Sequence, residues 1–141
     1  MIGGIEDKDY YKELTECIKE RNYEKHFIFT DFVSNPCDYI KNLDIVLHTS
    51  KNEPFGRSIV ESMYMRKPVI AFSGGPSEIL QNEKTGFIIN NNNLERASEI
   101  AIDLIKNKLL RKNIGENAYI YAIENFNFLD YTEKLKNIIY C

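Results

Sequence analysis

Four short apolar runs, at residues 26–29, 44–48, 68–72 and 87–89, do most to narrow the fold open to this chain. Each has the length of a strand rather than of a helix, and turn-forming residues (Ser34, Pro36, Pro54, Gly56, Gly74, Gly75, Pro76) punctuate the stretches between them. Those stretches carry apolar residues at helical intervals. Strands alternating with helices argue for an α/β class with a parallel sheet covered on both faces. Ligands of such sheets bind beyond the carboxyl ends of the strands, and the loops at 31–35, 49–55 and 73–77 all fall on that edge. Residues 1–3 read as the tail of a further strand, left through Gly3 and Gly4, and Tyr10, Leu14, Cys17 and Ile18 form a helical stripe after it. A short helix is expected over 37–43, and the Asn run at 90–93 reads as a polar linker into further helices.

Residues 53–61, EPFGRSIVE, carry the chemistry. Pro54 and Gly56 favour a sharp turn, and Ile59, Val60, Met63 and Tyr64 then recur at helical spacing. Glu53 should precede a helix N-terminus and Glu61 lie within its first turns, with Arg57, Ser58 and Glu61 away from the apolar stripe. First-turn N–H groups have no intrahelical acceptor and carry partial positive charge, so an anion binds well there.

Composition limits the alternatives. With 141 residues and 43% hydrophobic content, the chain can bury the core of one compact domain spanning 1–141. A formal charge of −3 offers no field for nucleic acid. Lys106, Lys108, Arg111 and Lys112 alternate with Leu109 and Leu110, a pattern of a solvated helix face or of a lipid headgroup contact. Cys17, Cys37 and Cys141 have neither metal-like spacing nor an even count, which speaks against a zinc site or disulfide framework and for a reducing cytosol. No apolar run reaches the ~18 residues of a membrane span. A cytoplasmic location is expected, with at most peripheral contact at the inner face of a membrane.

The EPFGRSIVE segment resembles the signature of the group 1 glycosyltransferases, retaining enzymes of the GT-B fold that transfer a sugar from a nucleotide donor. The resemblance extends through RKPVIAFSGGPSEILQNEKTGFII at 66–89, the upstream HFIFTDFV and DIVLHTS, and the later LLRKNIGENAYIYAIENFNF, and so covers nearly the whole chain. It implies a Rossmann-like sheet, the donor-binding second half of such an enzyme, lacking its first strand and helix with their phosphate-holding Arg and Lys. In the usual strand order that strand is central, so either the remaining strands close ranks or an edge stays unpaired. The partners implied are a UDP- or GDP-sugar and an absent N-terminal domain. No bound metal or other cofactor is expected. An apolar tail (Phe126, Phe128, Tyr131, Leu135, Ile138, Ile139, Tyr140) and an open sheet edge would favour self-association.

By the same resemblance Glu61 accepts hydrogen bonds from the ribose hydroxyls, or is a surface residue paired with Arg57. Glu53, the catalytic candidate, touches the transferring sugar and steadies positive character at its anomeric carbon, or is a plain loop charge. Phe55 and Gly56 would offer backbone N–H groups to sugar hydroxyls, Arg57 and Ser58 theirs to the distal phosphate, and Val33 its backbone to the base. Gly74 and Gly75 would let their loop pass close to the donor, with Glu78 capping the following helix. His48 ends a strand near the site and reads as structural. Transfer of a hexosyl group to a saccharide or lipid is the activity implied. A nucleotide-binding or docking module acting with a separate first half, and a fragment of a nucleotide-sugar epimerase, remain alternatives.

Overall fold

The computed structural model describes residues 1–50, 56–90 and 93–126. Its regular elements are helices α1 (Lys8–Glu20) and α2 (Cys37–Ile40), strand β1 (Val46–His48), helix α3 (Arg57–Tyr64), strands β2 (Val69–Phe72) and β3 (Phe87–Ile89), and helices α4 (Leu94–Lys106) and α5 (Lys108–Asn125). The chain divides into two compact units, residues 1–39 and the remainder.

In the first unit, α1 starts where Asp7 caps it: the carboxylate accepts from the N–H groups of Asp9 and Tyr10 at 3.0 and 2.9 Å. The stripe it buries matches the expected one at Leu14 and Ile18 only. Tyr11, Leu14, Thr15 and Ile18 turn inward, whereas Tyr10 and Cys17 are exposed. The strand expected at 26–29 does not form either. A 3-10 turn occupies Glu24–His26, and the segment after it meets the chain start through a single antiparallel bridge, Gly3 to Asp31. The Thr30 N–H donates to Met1 O at 3.1 Å and the Met1 amine to Ile28 O. Among the described residues no further strand extends this bridge into a ladder, and Ile28 and Phe32 are left 75% and 81% exposed.

The second unit holds the sheet. Its three strands run parallel in the order β1-β2-β3, with Val46 opposite Val69, His48 opposite Ala71, and Phe72 opposite Ile89. Side chains of β2 alternate between two cores. Val69 and Ala71 pack with Ile59 and Met63 of α3 and Ala118 and Ala122 of α5. Ile70 packs with Phe87 and Ile89 of β3, Ile100 and Leu104 of α4, and Ile114 of α5. Helices thus cover both faces, as strand–helix alternation implies. β1 pairs only with β2 among the described residues, so one edge of the sheet carries no strand.

Helices α3 and α5 approach closely at one point. Arg66, just past α3, is left-handed at φ +54°, and its carbonyl oxygen would lie 2.2 Å from a Cβ placed on Gly115. Its guanidinium stacks 3.5 Å from the centre of the Tyr119 ring, and Nε donates to Glu116 Oε2 at 3.0 Å. The Tyr64 hydroxyl, 3.2 and 3.1 Å from the carbonyls of Ala122 and Phe126, closes the far end of α5. The Lys106–Lys112 cluster divides in function, because Arg111 donates to the carbonyls of Leu104 and Ile105 at 2.6 and 2.8 Å and so caps the last turn of α4.

Ala is favoured over Gly inside a helix by about 1 kcal/mol, but the backbone approach at Gly115 reverses that preference. Gly115→Ala should destabilise the fold by about 1–3 kcal/mol, read as a lower urea midpoint with an unchanged slope.

Candidate functional site

The carboxyl end of β1 and the start of α3 meet at one corner of the sheet. Gly56 makes this geometry: it is buried and left-handed at φ +78°, ψ +53°, and a Cβ there would stand 2.9 Å from Ile59 Cδ1 and 3.3 Å from Ile79 Cδ1. Its carbonyl accepts from the N–H groups of Ile59 and Val60 at 2.9 and 3.3 Å, closing the first turn. The N–H groups of Arg57 and Ser58 precede these bonds, and no described side chain caps the helix. The corner therefore presents backbone donors and the positive end of a helix dipole.

Around that turn, Arg57 and Ser58 are exposed and Glu61 is half-buried, while Ile59 and Met63 are buried in the core. Arg57 and Glu61 form no ion pair with each other among the described residues. Ser62 is buried and donates its hydroxyl to the Ser58 carbonyl at 2.6 Å. On β1 the alternation of side chains sends Val46 and His48 toward α3 and Leu47 toward the opposite face. His48 Nδ1 accordingly lies 3.2 Å from Ser58 Oγ. This pair was not visible in the sequence, where residues 48 and 58 are separated by a turn.

The loop after β2 adds a second wall. Gly74 is at φ +137°, and a 3-10 turn follows at Gly75–Glu78, held by the Ser77 N–H donating to the Gly74 carbonyl at 2.9 Å. Glu78 is exposed and is the last residue of that turn, so it does not cap a following helix as expected. The turn is too short, and Ile79 and Leu80 dive into the core immediately after it. Glu53 and Phe55 lie outside the described residues. Val33 is half-buried and belongs to the first unit, two residues past the bridge at Asp31.

A cavity of about 320 Å³ opens at the end of β1 and along the α4 side of the sheet, lined by Leu47, His48, Ile70, Phe72, Leu94 and Ala97 among others. Its lining carries no charged side chain, which suits it poorly to a phosphate. Among the described residues no three His, Cys, Asp or Glu side chains are grouped to hold a metal ion, and no described helix is long and apolar enough to cross a membrane.

The domain is a parallel α/β fold in which α3 starts at the carboxyl edge of the sheet. The family model described as "Glycosyl transferases group 1" matches residues 1–121, and the chain belongs to that family. Its fold is that of the GT-B glycosyltransferases. Anabaena HepE, solved with UDP and with UDP-glucose, superposes with TM-scores of 0.92 and 0.91 at 28% identity, over 98% of this chain and 39% of that one. The Staphylococcus aureus poly(ribitol-phosphate) alpha-N-acetylglucosaminyltransferase is 27% identical over 96% of this chain and 27% of its own length. The human alpha-1,3/1,6-mannosyltransferase ALG2 is 29% identical over 93% of this chain and 32% of its own. The chain thus spans well under half the length of these relatives.

The left-handed Gly56 sets the direction in which α3 begins. Gly56→Ala should cost about 1–3 kcal/mol through the φ penalty and the contact with Ile59, measured as a lower urea midpoint and a reduced helical signal in far-UV circular dichroism.

Proposed function

We propose that this chain is the donor-binding part of a retaining glycosyltransferase that moves a hexosyl group from a nucleoside diphosphate sugar to a saccharide or lipid hydroxyl. The observation that carries the reading is the start of α3. Its first-turn N–H groups open at the carboxyl edge of a parallel sheet, in a fold that superposes on a relative solved with UDP-glucose. In this reading the N–H groups of Arg57 and Ser58 take the distal phosphate, and the Arg57 guanidinium adds positive charge beside them. The helix dipole and these donors supply the charge compensation that a metal ion gives other transferases, so no metal is assigned to the site.

Glu61 lies one turn further along α3, where a carboxylate can accept from both ribose hydroxyls. Glu53 is assigned to the anomeric carbon, whose oxocarbenium-like charge an adjacent carboxylate stabilises. Gly56 and Phe55 offer backbone N–H groups to the sugar. The α linkage named for both relatives supports retention for donors that are themselves α-linked. Titration of the chain with UDP, GDP and ADP narrows the donor to one nucleoside diphosphate.

Calorimetry with these three nucleotides should find saturable binding to at least one of them; binding to none would overturn the reading. Glu61→Ala should weaken the nucleotide that binds by about 1–3 kcal/mol, the loss of hydrogen bonds to a charged acceptor. Equal affinity with and without the carboxylate would remove Glu61 from the site. In the longer protein Glu53→Gln should lower kcat more than it weakens the free nucleoside diphosphate, because its contact is made to the reacting sugar. Equal losses in kcat and in affinity would assign it a structural role.

A further inference from the structure

We infer that His48 is a positioning residue for the donor's diphosphate, acting through the Ser58 hydroxyl. The inference rests on the reading above, in which the first turn of α3 receives the phosphates. Ser58 is the second residue of α3 and is exposed there, so its hydroxyl stands beside the first-turn N–H groups. Its oxygen is 3.2 Å from His48 Nδ1, a hydrogen bond whose direction depends on which ring nitrogen carries the proton.

The two directions have opposite consequences for an anion. With the proton on Nδ1, the ring donates to Ser58 Oγ, and the Ser58 O–H is left to donate to a phosphate oxygen. With Nδ1 unprotonated, the Ser58 O–H is drawn onto the ring, and Ser58 turns only oxygen lone pairs toward the anion. The anion therefore selects the ring forms protonated at Nδ1, and by reciprocity those forms bind it more tightly. The imidazolium is one of these forms and brings a positive charge as well.

From α3, Arg57 and Glu61 flank Ser58, the first opposing and the second favouring the imidazolium. From β2 the residue paired with His48 is Ala71. The cavity that His48 also lines contributes only uncharged neighbours, among them Leu47, Thr49, Phe72 and Ser98.

The test uses the 141-residue chain with 15N-labelled histidine, titrated with UDP and in parallel with GDP. Long-range 1H–15N spectra should show the His48 ring moving toward the Nδ1-protonated form as nucleotide saturates. His48→Ala should weaken the nucleotide about tenfold, the size of one hydrogen bond to a charged partner. His48→Asn, whose amide donates to Ser58 Oγ, should recover most of that loss. In a Ser58→Ala background His48→Ala should cost nothing further.

Nucleotide binding that leaves the His48 ring nitrogens unchanged would overturn the inference, as would a His48→Ala loss that persists without the Ser58 hydroxyl. Failure of the native chain to bind UDP, GDP or ADP is a different result. It would remove the donor-binding reading itself, and this inference with it.

Discussion

Burial of β2 on both faces is the constraint from which the rest of the second unit follows. Val69 and Ala71 are shut in by α3 and α5, and Ile70 by β3 and α4, all at 4% exposure or less. Each such aliphatic side chain contributes on the order of 1.5–3 kcal/mol on leaving water. A one-residue slip would exchange the two sets and send every side chain to the wrong core, so the register with β1 is strongly specified. That register puts His48 on the α3 side and Leu47, 61% exposed, on the other.

Helix α3 is tied down at its far end. Past Tyr64 the chain is held by the Arg66 backbone against Gly115, by the Arg66 contacts with Glu116 and Tyr119, and by the Tyr64 hydroxyl on the end of α5. At the start the carbonyl of the buried Gly56 closes the first turn. Arg111 performs the complementary task for α4, satisfying the carbonyls that an α4–α5 corner would otherwise leave exposed.

Much of this was legible in the chain. The runs at 44–48, 68–72 and 87–89 are strands within two residues of their expected limits, and α3 begins directly after Gly56. The run at 26–29 is apolar enough to read as a strand, yet apolarity does not provide a ladder partner, and that segment makes one bridge only. The stripe of α1 was right at Leu14 and Ile18, but Tyr11 rather than Tyr10 turns inward, because both residues suit an amphipathic helix and only packing chooses between them. At the site, Arg57, Ser58 and Glu61 were placed on the right side of α3 by spacing alone, whereas the His48–Ser58 contact and the end-capping by Arg111 carried no local signal.

Local properties, the apolar period, turn chemistry and the glycine at residue 56, therefore determined the order of elements, the start of α3 and the side of it that faces away from the core. They act within a few residues, where the chain's own geometry dictates which side chains share a face. The tertiary structure decided which strands have partners, that His48 meets Ser58, that Arg66 lies against Gly115, and that Arg111 ends α4. Those contacts join residues brought together only when both faces of β2 are covered, and no periodicity along the chain encodes a distance across it.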